Sequence, residues 1–313
     1  MKKNVIAMAV AAAMVPGFAA AADSKVSGFG DIYYTNDSDS NLSVFTANAE
    51  VDFASKLSDI VSVRADVDLS LSDNTGTSLG ATTGGPQDGV AIEQAFFAAG
   101  IAEGVTLIGG VFNNPIGWEA EDVTDRYAIT ATKNYEVLDG QTALWGNNIA
   151  GVAVAGDLGP VTVTGAVLND IGLAALDKHS MALVVNATPV AGLDVELGYV
   201  TQEAQAGNVT NLNATYRNAG LTLGLEYMTA EEALDTGITA MANYMFTPAV
   251  GATVQYSSLD GDGFGSDADT RLSVAGIWNI ADNLSVLAEY NNDDNGDGAD
   301  NADAINLEFI AKF

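Results

Sequence analysis

The stretch Ala302–Phe313 reads ADAINLEFIAKF. Ile305, Leu307, Phe309, Ala311 and Phe313 place apolar side chains at every second position, with Asn306, Glu308 and Lys312 between them. Successive side chains of an extended segment point to opposite faces, so this is a strand with one greasy face and one mostly wet face. Ala304 and Ile310 interrupt the wet one. A strand that finishes on an aromatic residue is an aggregation hazard when its edge is unpaired. A closed barrel leaves no such edge, because its last strand pairs with its first. The stretch therefore predicts a barrel whose seam joins it to Val26–Tyr34, with Phe309 and Phe313 marking the closure.

Working back along the chain, the same period recurs. Val61, Val63, Ala65, Val67, Leu69 and Leu71 alternate with Ser62, Arg64, Asp66, Asp68 and Ser70. Phe45, Ala47, Ala49, Val51 and Phe53 alternate with Thr46, Asn48, Glu50 and Asp52. Segmenting the chain at its Gly-, Pro-, Asn- and Asp-rich breaks gives about sixteen strands, an even number as expected of single-chain membrane barrels. Short connections near Lys56, Gly100, Leu158, Pro189, Ala219, Pro248 and Asp282 alternate with mostly longer, acidic ones. Helical periodicity is almost absent. The predicted fold class is all-β, a transmembrane antiparallel β-barrel.

Composition supports that reading. The chain of 313 residues carries 41 Asp and Glu against 11 Lys and Arg, a formal charge of −30, yet it is 48% hydrophobic with mean hydropathy +0.17. Acidity and hydrophobicity at this level must be sorted onto different surfaces. The acidic excess argues against a nucleic-acid partner, which requires a basic stripe. With no cysteine, neither disulfides nor thiolate metal sites are available. Lys2 and Lys3, the apolar run Val5–Val15 and the small residues Ala19–Ala22 read as an export signal, residues 1–21, with the barrel occupying 22–313. No later segment supplies the roughly 20 uninterrupted apolar residues of a membrane helix. Any membrane crossing must be made by strands.

Aromatic residues fall into two groups. Tyr33, Tyr34, Phe45, Phe112, Tyr199, Tyr227, Tyr256 and Tyr290 lie at strand ends beside the longer loops. Phe53, Tyr216, Phe246, Trp278 and Phe313 lie at the opposite ends. Two separated belts are the pattern of interfacial girdles, whereas ordinary core aromatics gather mid-strand.

At this point the chain resembles a known group, the Gram-negative outer-membrane porins, and most closely a family of OmpL-like β-barrel porins. The resemblance is carried by Val90–Phe97 (VAIEQAFF), by Gly109–Glu119 (GGVFNNPIGWE) and by the terminal strand. It implies a bacterial outer-membrane location among lipid and lipopolysaccharide, passive diffusion of small hydrophilic solutes or ions, and assembly as a homotrimer. It also implies an internal loop that narrows the channel and a terminal segment that serves as the insertion signal.

By alternation the inward, pore-lining positions include Glu50, Asp52, Arg64, Asp66, Asp68, Asp194, Glu196, Arg217, Glu226, Arg271 and Glu308. Carboxylates dominate, and acidic rings favour cations. A cation-preferring pore is expected; a hydrated lumen without charge bias is the plain alternative. The non-alternating stretch 113–148 is the candidate constriction, carrying Glu119, Glu121, Asp122, Asp125 and Arg126. It is either folded inward or a solvated outer loop. A structural or adhesive barrel with an occluded lumen is the competing function.

Asp293, Asn295 and Asp297 have the spacing that opens a calcium loop, but the twelfth position is Ala304 where such loops need a bidentate Glu. No cofactor is expected beyond weak divalent binding. Catalysis is not expected either. His179, the single histidine, adjoins Ser180 on a strand, where neighbours face opposite ways.

Overall fold

The computed structural model describes residues 23–37, 42–70, 89–120, 122–141, 147–171, 177–202, 207–232, 234–261, 268–294 and 301–313. The proposed export signal lies outside them. The first five strands are β1 (Asp23–Asp37), β2 (Leu42–Lys56), β3 (Val61–Ser70), β4 (Gly89–Ala102) and β5 (Val105–Asn113). A helix, α1 (Lys133–Gln141), precedes β6 (Asn148–Asp157), β7 (Val161–Asn169), β8 (His179–Val190) and β9 (Leu193–Thr201). β10 (Val209–Asn218), β11 (Leu221–Ala230), β12 (Leu234–Met245) and β13 (Val250–Asp260) follow. β14 (Asp269–Ala281), β15 (Leu284–Asp294) and β16 (Ala302–Lys312) complete the wall.

Each strand pairs antiparallel with its sequence neighbours, and β1 pairs with β16 to close the barrel. The seam runs from Phe29 opposite Lys312 to Asp37 opposite Ala304, and Gly28 and Phe313 exchange backbone hydrogen bonds just beyond it. Closure satisfies the edges that an open sheet would leave bare.

The outer surface is apolar all the way round. Ile32, Ile92, Val152, Leu183, Leu197, Leu225, Ile238, Val254, Val274 and Ile305 are exposed on ten different strands. A continuous apolar band of this kind matches a hydrocarbon environment, not water. Phe45, Tyr199, Tyr227, Tyr256 and Tyr290 are exposed towards the long-loop end; Phe53, Phe246, Trp278 and Phe313 are exposed towards the short-turn end. Phe309 is exposed on the seam strand. Phe112 and Tyr33 depart from the predicted belt. Phe112 is buried in the interior with Ile108 and Ile149, and Tyr33 pairs in register with the inward residues Thr46 and Glu308.

The inner face is of two kinds. On β10–β16 and β1–β4 it is mainly polar, with Asp31, Glu50, Asp66, Glu93, Asn211, Glu226, Thr239, Gln255, Ser273, Glu289 and Glu308 buried there. On β5–β9 it is mainly apolar, with Ile108, Phe112, Ile149, Ala153, Ala166, Leu168, Ala182, Val184 and Val200 in one cluster. Strict alternation predicts a wet interior all round, so this apolar sector is a correction. Its cause is the segment between β5 and β6, which lies inside the barrel and presents Ile116 to β9 at Gly198; Leu138, on the helix that contacts β12 and β13, joins the same cluster, which continues to Val209, Met228, Leu234 and Leu259. The helix α1 is a second correction, since the sequence shows no helical stripe there.

Candidate functional site

At the end of β5 the chain turns into the lumen. The Asn114 N–H donates to the Asn147 carbonyl at 2.8 Å, tying the two ends of the segment together. Among the described residues between them the backbone has little regular structure beyond α1, so many N–H groups need acceptors from elsewhere. Inward carboxylates on distant strands supply them. Glu226 on β11 accepts the Trp118 N–H at 2.8 Å, the Asn134 amide at 3.0 Å and the Asn211 amide at 2.8 Å. Glu289 on β15 accepts the Ile129 N–H at 2.7 Å, the Thr130 N–H at 3.1 Å, the Thr130 hydroxyl and the Asn306 amide. A buried carboxylate is costly unless it is hydrogen-bonded, and an irregular loop is costly unless its donors are satisfied. Each deficit answers the other.

Charge pairs fasten the helix. The Lys133 N–H donates to Ser257 Oγ at 3.0 Å while its ammonium lies 2.8 Å from Asp269 and 3.6 Å from Asp293. Arg271 donates to the Ala131 carbonyl at 2.7 Å, to Glu136 at 2.6 Å and, through Nε, to Asp293 at 2.7 Å. Asp293, the first residue of the stretch with calcium-loop spacing, is thus engaged by two bases. Asn295 and Asp297 lie outside the described residues.

Shape matters as much as charge. Trp118 is buried, with its indole N–H on Thr215 Oγ1 at 2.9 Å. A Cβ added at Gly224 would collide with the Trp118 ring, and one at Gly198 would collide with Ile116. These inward glycines are notches that admit the two loop side chains.

The wall of β2–β4 carries the densest charge. Arg64 Nε donates to Asp66 at 2.8 Å and its Nη2 to Asp52 at 3.3 Å. Glu50, Asp68 and Glu93 complete the patch, and Asp122 from the loop lies near Glu50 and Arg64. Burial pushes the Asp122 carboxyl up, and Arg64 opposes that shift. Alternation identifies Glu50 as inward but misses Glu93. Glu93 and its neighbour Gln94 are both buried, at a register shift that falls opposite Asp66 and Val67. Adjacent polar residues inside an alternating strand are the sequence sign of such a bulge.

Other predicted residues have separate places. Glu119 accepts the Thr132 N–H within the loop itself. Glu121 lies outside the described residues. Asp125 and Arg126 line a cavity of about 910 Å³ on the short-turn side of the loop, with Tyr127, Arg217, Asn243, Asn279 and Lys312. Arg126 donates to the Ala120 carbonyl at 3.0 Å and stacks 5.1 Å over the Tyr135 ring. Lys312 donates to the Thr124 carbonyl at 3.1 Å. Glu196 accepts from Asn213 at 3.1 Å, and Asp194 pairs with Arg217 at 2.9 Å at the exposed short-turn end of the wall. Glu308 is buried near Asp31 and Arg126. Glu226 and Arg271, placed among pore-lining groups by alternation, are covered by the loop they hold.

Solved porins share this fold. A mutant of the Rh. blastica porin superposes with a TM-score of 0.64 at 16% identity, covering 93% of this chain and 100% of that one. A triple mutant of the Rhodopseudomonas blastica porin gives 0.62 at 16% identity over the same shares. A structure described under asymmetric conductivity of engineered proteins gives 0.62 at 15% identity, again over 93% and 100%. No protein-family model matches the sequence, and no curated protein matches it.

Proposed function

We propose that this chain is an outer-membrane porin, a water-filled channel for passive diffusion of small hydrophilic solutes with a preference for cations. The observation that carries this reading is the porin-type closed barrel with an acidic inner wall at β2–β4, faced by a loop that brings Asp122 and Asp125 into the lumen. Carboxylates around a narrowed path raise the local concentration of cations and repel anions. The loop is the constriction in this reading, and solutes pass between it and the polar wall. The resemblance of Gly109–Glu119 to OmpL-like porins supports it further, because that segment is where the chain leaves β5 and enters the barrel. Export, insertion beside lipopolysaccharide and a homotrimeric assembly belong to the same proposal.

The second reading, a structural or adhesive barrel with an occluded lumen, is favoured by one observation. Ile116 and Leu138 pack into the apolar cluster of the inner wall. Planar-bilayer recording in a salt gradient separates the two. Discrete conductance steps and a cation-directed reversal potential are expected, with the potential reduced in the Asp122→Asn, Asp125→Asn double variant. A folded barrel that gives no steps rejects the channel; steps with an unchanged potential in the variant reject the selectivity role.

A further inference from the structure

The wall of β12–β14 carries polar groups that the loop does not satisfy. Register sets Thr239 level with Ser257 and Arg271; one inward step nearer the short turns, Met241 is level with Gln255 and Ser273. The loop is fastened at the first of these rows. There the Lys133 N–H donates to Ser257 Oγ at 3.0 Å, and Arg271 donates to the Ala131 carbonyl at 2.7 Å. In the next row Gln255 is 2% exposed and Ser273 1%, while Thr239 in the first is 0% exposed. Neither amide atom of Gln255, nor the hydroxyl oxygen of Ser273 or Thr239, bonds any described residue. One step further, Asn243 donates to Thr253 Oγ1 at 2.9 Å and lines the cavity of about 910 Å³.

A dry polar band of this kind opposes the docked position of the loop. Each buried polar group without a partner costs about 1–3 kcal/mol, a penalty that apolar side chains of the same shape would not carry. The band also has a place in a series. On one side of it the cavity stops at Asn243. On the other side stand Lys133, 2.8 Å from Asp269, and Arg271, 2.6 Å from Glu136. The Glu136 side chain is 38% exposed, so this clamp reaches the wetter end of the barrel. Cavity, dry band and clamp thus follow one another along the same three strands.

We propose that this band is the wall of a second water path, closed by loop residues 131–133 and opened when the clamp of Lys133 and Arg271 releases them. The inference rests on the channel reading and adds a gated route separate from the one along β2–β4. When the loop lifts, the hydroxyls of Thr239 and Ser273 and the amide of Gln255 gain water as a partner. That gain offsets part of the lost ion pairing, so the open position is within reach of the closed one. Hydroxyl and amide groups both donate and accept, and they carry no charge. The wetted band therefore passes water and small hydrated solutes without choosing a sign, unlike the acidic wall of β2–β4.

The test is single-channel recording of the refolded full chain, with thermal unfolding of the same samples in detergent. The unaltered chain should show a main conductance level and brief openings to a larger one. Lys133→Met removes one arm of the clamp and should raise the occupancy of the larger level by at least about tenfold. In the Thr239→Val, Gln255→Met, Ser273→Ala triple variant the larger level should vanish, while the main level and its reversal potential stay. The same variant should unfold at a higher temperature, because its unpaired polar groups are gone and its shape is kept. A lower unfolding temperature, or a larger level that persists in the triple variant, overturns the path. Main-level steps alone, even in Lys133→Met, reject the path and leave the channel standing. A folded, unaltered chain that gives no steps rejects the channel, and the second path falls with it.

Discussion

The two inner walls of this barrel hold the same loop by different physics. Ile116 and Leu138 of the loop join an apolar cluster centred on β5–β9 and reaching Leu234 and Leu259, and each such side chain is worth roughly 1.5–3 kcal/mol of burial. On β11 and β15 it is held by Glu226 and Glu289, whose hydrogen bonds are worth about 1.5–3 kcal/mol each because one partner is charged. The energies are similar, but the consequences of loss are not. An apolar contact removed leaves a gap. A donor removed from Glu226 or Glu289 leaves a buried charge short of a partner, which is why the polar wall fixes where the loop sits and the apolar wall mainly how tightly.

The most severe way to break this comparison is Glu226→Leu combined with Glu289→Leu. Several charged hydrogen bonds disappear together, so loop docking should weaken by several kcal/mol. Limited proteolysis between residues 114 and 147 should accelerate by about 100-fold, the equivalent of roughly 2.7 kcal/mol, and channel conductance should rise. Unchanged cleavage would mean that the apolar wall alone holds the loop. Leu138→Ala attacks the other side and should cost about 2–3 kcal/mol of docking, seen as faster cleavage without a change in reversal potential. A shift in selectivity from this change would blur the distinction between the walls.

Smaller again is Gly224→Ala, where the new methyl would run into the Trp118 ring. The indole must leave its notch, at about 1–3 kcal/mol, and its fluorescence should move to longer wavelength. An unshifted spectrum would show that the wall yields instead. The least effect is expected from Asp194→Asn, which opens an exposed pair with Arg217. Unfolding should change by no more than about 1 kcal/mol.

The strands are legible because the alternation of residues such as Val61–Ser70 reports directly on two environments, one greasy and one wet. That logic fails where the inner environment is protein. In Val161–Asn169 the inward Ala166 and Leu168 are as apolar as the outward Val167, because they face the packed interior rather than water. Phe112 falls into a belt by its position alone for the same reason: place along a strand does not tell which face is lined by protein. The helix Lys133–Gln141 is illegible because Lys133 and Asn134 seat it by polar contacts while Leu138 and Val137 join the apolar cluster, too few apolar positions to mark a stripe. Gly198 and Gly224 stand in the sequence at inward positions, yet a glycine names a space without naming its occupant.

The anchors of the internal loop also impose an order on assembly. Trp118 waits for Thr215 and Glu226, separated from it by 97 and 108 positions; Ile129 waits for Glu289, 160 positions on; Thr124 waits for Lys312, 188 positions on. Contacts so distant along the chain form slowly, since the entropy of bringing them together precedes the reward. The wall can zip hairpin by hairpin, but the loop finds its full set of partners only after β16 has arrived. A barrel caught before that moment has walls without a settled filling, so the immature molecule should be the leakiest form of the protein.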